Sequence, residues 1–119
     1  MIDNELKMQI ERVAQETDWS VRFDEHNGET NIEFESYTDR GQDLIVNIWV
    51  ADDANIGDVA CELYRYWESY DPDEEASLWI GEDGHGKNGA PYRLSDLLDD
   101  MKNAEQMIED LHDALSEVA

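Results

Sequence analysis

Cysteine occurs once in this chain, at Cys61, and only eight lysines and arginines stand against thirty-one aspartates and glutamates. A single thiol excludes an internal disulfide and any metal site built from several cysteines. The shortage of basic residues leaves a formal net charge of -23, which disfavours nucleic acid and anionic membranes as direct ligands. Long apolar runs are missing too: no stretch approaches the ~20 residues of a membrane span. The first residues, MIDNELKMQIERV, carry acids where a signal peptide carries positive charge. The expectation is a soluble, cytoplasmic protein. No repeat, low-complexity tract or long linker divides the chain, so residues 1–119 are expected to form one domain with a radius of gyration near ~13 Å.

What is present suffices for a core. Apolar residues make up 40% of the chain, with four Trp and five Tyr, so wholesale disorder is excluded despite the charge. Ile2, Leu6, Ile10, Val13 and Ala14 recur at helical spacing over residues 2–16. The period then changes to two. Trp19, Val21 and Phe23 alternate with polar residues, as do Ile32 and Phe34, and the pair Asn27-Gly28 between these runs suits a hairpin turn. After a turn at Asp39-Arg40-Gly41, LIVNIWV (residues 44–50) is apolar on both sides apart from Asn47, which predicts the most covered strand of the three.

Helix resumes after Asn55, a suitable N-cap, with Ile56, Val59, Ala60, Leu63, Tyr66, Trp67 and Tyr70 along one stripe. In DPDEEASLWI, Asp71 caps, Pro72 takes the first helical position and three acids oppose the helix dipole. From Leu94 a heptad seam runs through Met101, Ile108 and Leu115, and through Leu97, Ala104, Leu111 and Val118. The predicted class is α+β: an N-terminal helix, a three-stranded antiparallel meander, then two to three helices including a long C-terminal one, packed on one sheet face. The seam serves internal packing or pairs two subunits, leaving monomer and dimer both open.

The stretch GEDGHGKNGAPY (residues 81–92) nearly spells a phosphate-binding loop, with Gly81, Gly86 and Lys87 in register. Context speaks against it: a helix precedes it, Asn88 replaces the Ser or Thr that would hold Mg²⁺, and Asn88-Gly89-Ala90-Pro91 stops any helix after the lysine. A glycine-rich connection with a helix C-cap at Gly81 fits better. Asp71, Asp73, Glu75, Ser77 and Glu82 follow calcium-loop spacing, but Ala76 stands where the loop needs glycine. His26, His85 and His112 show no zinc spacing, Cys61 beside Ala60 reads as a small hydrophobe, and no nucleophile motif occurs. No cofactor and no catalytic residue is expected.

The carboxylates remain. Asp96, Asp99, Asp100, Glu109, Asp110, Asp113 and Glu117 avoid the heptad seam and are expected on the outer side of the last helix, and Glu33 and Glu35 share one strand face. Rows of negative charge on a rigid scaffold can imitate nucleic acid phosphates and engage a groove of Lys and Arg; they also serve solubility or salt adaptation. A second contact surface is offered by the aromatic helix and the glycine loop, through Trp67, Tyr70, Trp79, His85 and Lys87.

The segment SYDPDEEASLWIGEDGHGKNGAPYRLSDLLDDM resembles small acidic proteins encoded on mobile elements of gut bacteria, over roughly the C-terminal half of the chain. The acidity and small α+β build are similar to phage and plasmid antirestriction and anti-CRISPR proteins that mimic DNA. No site residue comes with either resemblance. The first resemblance implies a role in the life of a mobile element, with the glycine loop structural or a contact surface. The charge excess leads to the expectation of a non-enzymatic binding protein with a basic partner, a DNA mimic that inhibits a nuclease or other nucleic-acid-binding protein being the leading form. The alternatives are an interaction module using the aromatic helix and the 81–92 loop, and a small enzyme with a site near His85 and Lys87.

Overall fold

The structure, a computed structural model, describes residues 1–119. Helix α1 (Asn4–Glu16) is capped by Asp3, whose carboxylate accepts from the Leu6 N–H at 2.8 Å, and it buries Leu6, Ile10, Val13 and Ala14. Asp18, at φ 64°, turns the chain back so that the Trp19 N–H reaches the Ala14 carbonyl at 2.8 Å. Strands β1 (Ser20–His26), β2 (Glu29–Tyr37) and β3 (Asp43–Ala51) follow in an antiparallel meander. Asn27 and Gly28, both at positive φ, make the two-residue turn between the first pair.

Three helices complete the chain: α2 (Ile56–Ser69), α3 (Pro72–Ser77) and α4 (Leu94–Glu117). A full capping box starts α2, Asn55 and Asp58 each accepting from the other's backbone N–H. Asp71 caps α3 with Pro72 in its first turn.

The helices cover one face of the sheet only. Ile32, Phe34, Val46, Ile48 and Val50 point into a core shared with α1, α2 and the later part of α4. Along β3, contrary to expectation, exposure alternates strictly: Leu44, Val46, Ile48 and Val50 are buried, while Ile45 and Trp49 are each 45% exposed. No second layer exists to cover them, so an apolar run that reads as two-sided burial is half-solvated. Tyr37, 60% exposed, lies on the same open face.

The heptad seam of α4 is used internally, with Leu97, Met101, Ala104, Ile108, Leu111 and Leu115 all buried and only Leu94 and Val118 at its ends exposed. The early part of α4 leaves the main core and packs instead on α3, where Leu97, Met101 and Ala76 form a small second cluster. That overhang lengthens the molecule. It measures 48 × 29 × 21 Å with a radius of gyration of 15.5 Å, clearly longer than the ~13 Å expected of a compact chain of this size.

Candidate functional site

Acid covers most of the surface. Of the thirty-one carboxylates, twenty-two are exposed and only Asp100 is buried. Six of them, Asp24, Glu25, Glu33, Asp52, Glu62 and Asp96, pair with an arginine or the α-amino group, which leaves twenty-five without such a partner. On α4 the exposed Asp99, Asp110, Asp113 and Glu117 fall on one side of the helix. A rise of ~1.5 Å per residue spaces Asp110 and Asp113 by about 4.5 Å, and Asp113 and Glu117 by about 6 Å, along the axis. Glu33 and Glu35 do share a face, but it is the open face of the sheet, on the other side of the molecule from the α4 row. Arg22 neutralises Glu33 across the β1–β2 pair.

Not every expected member of the acidic row is available. Asp100 is 2% exposed. Its carboxylate accepts from the Thr38 hydroxyl at 2.6 Å and from the Arg40 backbone N–H at 3.2 Å, while Asn103 accepts from the Asp39 N–H at 2.9 Å. These bonds clamp the β2–β3 turn onto α4, and Asp96 reinforces the clamp by pairing with the Arg40 guanidinium at 3.1 Å. Glu109 is half-buried. A carboxylate within the stripe Leu97, Asp100, Met101, Ala104 was the available signal, since those spacings define one helix face.

The glycine loop is a self-contained structure. Helix α3 ends at Ser77 with Leu78 as its right-handed cap, so Gly81 is not the C-cap expected of it. Ile80 and Gly86 form an antiparallel bridge, and the Lys87 N–H reaches the Trp79 carbonyl at 2.8 Å. The Gly86 N–H binds the Tyr92 carbonyl at 3.0 Å, and a Cβ on Gly86 would lie 1.9 Å from the Pro91 carbonyl oxygen. Only glycine permits that approach. His85 stacks on Tyr92 at 4.2 Å between centroids, which half-buries its ring, whereas Lys87 is exposed. After Lys87 the chain turns through Asn88 and Gly89 at positive φ, and no helix opens until Leu94. The N–H groups of Gly81, Gly84, His85, Gly86, Lys87 and Ala90 are all spent on acceptors within residues 79–92 rather than left for a phosphate. Neither His85 nor Lys87 lines any of the five principal clefts.

The aromatic helix divides. Trp67 packs against the main core with its indole N–H buried and unpartnered, beside Tyr64 at 5.7 Å. Tyr64 also meets His112 of α4 at 5.5 Å. Cys61, read from the sequence as a small hydrophobe, is exposed because α2 buries the arc of Val59, Ala60 and Leu63 instead.

Tyr66 and Tyr70 line a cleft of ≈ 130 Å³ with Trp79, Glu75, Asp43 and Met101. The Tyr66 hydroxyl donates to the Ile45 carbonyl at 3.4 Å, and the Tyr70 hydroxyl faces the Met101 sulfur at 3.7 Å. Burial, followed by the charge of Glu75, raises the pKa of both phenols; burial, followed by the neighbouring Glu74, raises that of Glu75. No three His, Cys, Asp or Glu side chains converge as a metal site anywhere in the chain. The chain matches no family model, no curated protein and no solved structure.

Proposed function

We propose that the protein is a non-enzymatic acidic binding protein that occupies the basic groove of a nucleic-acid-binding protein, such as a nuclease, in place of a duplex. One observation carries this reading. A net charge of -23 spread over a long axis of 48 Å amounts to one charge per about 2.1 Å, close to the ~1.7 Å per charge of double-stranded DNA. Charge of magnitude ~2–8 already keeps a small domain soluble, so solubility alone does not call for this density. The acids lie on both broad sides of the molecule, as phosphates do around a duplex, and the scaffold beneath them is rigid helix and sheet. The aromatic-helix alternative is weaker on one specific ground: Trp67 packs inward and is not free to serve as an anchor.

The test is capture from a bacterial lysate at low and high salt, with the bound protein challenged by competing duplex DNA. A basic nucleic-acid-binding protein displaced by both supports the reading. A partner that resists salt and that DNA cannot displace overturns it.

A further inference from the structure

We propose that the cleft between α2, α3 and the start of β3 receives one cationic side chain of the partner, an arginine guanidinium in first place, held over Tyr66, Tyr70 and Trp79 and paired with Glu75. This rests on the reading that the partner is basic, and it adds a specific anchor to a diffuse charge.

The volume sets the size of the occupant. At ≈ 130 Å³ the cleft has room for about four waters at ~30 Å³ each, and falls below the ~300–1,000 Å³ of sites for drug-sized ligands. A nucleotide does not fit; a side-chain head group does. The lining sets its chemistry. Two carboxylates, Glu75 within and Asp43 at the rim, accompany three aromatic side chains, and no lysine or arginine lines the cleft. Aromatic faces attract cations through the ring quadrupole, most strongly where water is excluded. A guanidinium both stacks on such faces and forks onto a carboxylate, which an ammonium does not match.

Glu75 is ready for a partner. Its half-buried carboxylate accepts no hydrogen bond and meets no cation, unlike Glu33, Glu62 and Asp96, each held by an arginine. Tyr66 and Tyr70 pack in part on the main core and Trp79 on the small cluster, and none of the three stacks on another ring. The floor is Met101, a polarizable side chain that adapts to its contacts. The elements bring these groups together for plain reasons: Tyr66 stands in the last turn of α2 and Tyr70 is its extended C-cap, and the Asp71-Pro72 start of α3 folds Glu75 and Trp79 back over them.

The experiment follows the Trp79 indole N–H and the Met101 methyl by NMR during titration with Nα-acetyl-arginine amide, with the neutral citrulline analogue as control. Saturable shifts at both positions are expected with the arginine probe and not with citrulline. E75Q should weaken the arginine probe at least tenfold, while E11Q, on the exposed side of α1, leaves it within twofold. Equal shifts from both probes, or equal weakening by both substitutions, overturn the cleft. An eight-residue oligoarginine separates the two proposals. If it binds wild type and E75Q alike, the cleft is wrong and the acidic-surface reading stands. If it fails to bind either at 50 mM salt, the acidic-surface reading itself fails.

Discussion

Asp100 illustrates how one side chain can look like surface and act as structure. Its bonds to Thr38 and Arg40 hold the β2–β3 turn onto α4. Hydrogen bonds to a charged group contribute about 1.5–3 kcal/mol each, so Asp100→Ala is expected to lower stability by about 2–3 kcal/mol in urea unfolding. Combined with Thr38→Val, the double variant should lose clearly less than the sum of the single losses, because the two side chains share one bond. Simple additivity would show that the bond contributes nothing. Glu75 behaves oppositely. Its folded pKa is raised above the ordinary 4.5, so the native state binds more protons than the unfolded chain within that window, and stability falls as pH rises through it. Glu75→Gln should therefore be the more stable protein at pH 7.5, with the gap narrowing as pH falls toward the ordinary carboxylate range. A gap that stays constant or widens toward acid would contradict this. The burial of Asp100 was signalled by its place in the Leu97–Ala104 stripe, but its partners were not, and the setting of Glu75 was not legible in the sequence at all. Both residues sit in acid-rich runs, and the distant Thr38 and Arg40, or Tyr66 and Met101, distinguish them from their neighbours.

At the level of elements the sequence spoke more clearly. The caps at Asn55 and Asp71, the Asn27-Gly28 turn and the α4 seam all stand where local chemistry places them, because caps, turns and helical stripes are decided within a few residues. The covering of β3 is decided by whether a second layer exists, which no strand encodes. The short reach of α3 has the same origin: Trp79 and Ile80 are drawn into the loop bridge rather than a further helical turn. Residues 71–93 and the start of α4 share a cluster of three buried side chains, against nineteen in the main core. Amide hydrogen exchange should therefore show the 71–93 segment opening at lower free energy than β2 and the middle of α4. Equal protection of the two regions would mean that the small cluster is fully coupled to the main core.

For the whole molecule, charge acts in two opposite senses. Self-repulsion among twenty-three net negative charges opposes the compact state, and the Debye length shrinks from ~30 Å at 0.01 M salt to ~3 Å at 1 M. Raising salt from 10 mM to 0.5 M should lift Tm by about 5 °C or more, while the same change weakens capture of a basic partner. A protein whose stability and binding moved together with salt would owe neither to charge. The overall class and helix order were legible in the sequence, whereas the elongation was not, since it depends on α3 and the glycine loop docking beyond the end of the main core.

The uncovered side of the sheet has a practical consequence in acid. Ile45, Trp49 and Tyr37 stand there in the open, and β1 and β3 present unpaired edges. At neutral pH, repulsion keeps two such surfaces apart. Near the isoelectric point of about 4.1 that protection vanishes, and exposed apolar side chains beside strand edges that pair with no further strand are a template for sheet-to-sheet association. Solutions should turn cloudy on approach to that pH, and Trp49→Ser should keep them clear for longer in a light-scattering titration. The carboxylates that give the molecule its outward character thus also act as its dispersant.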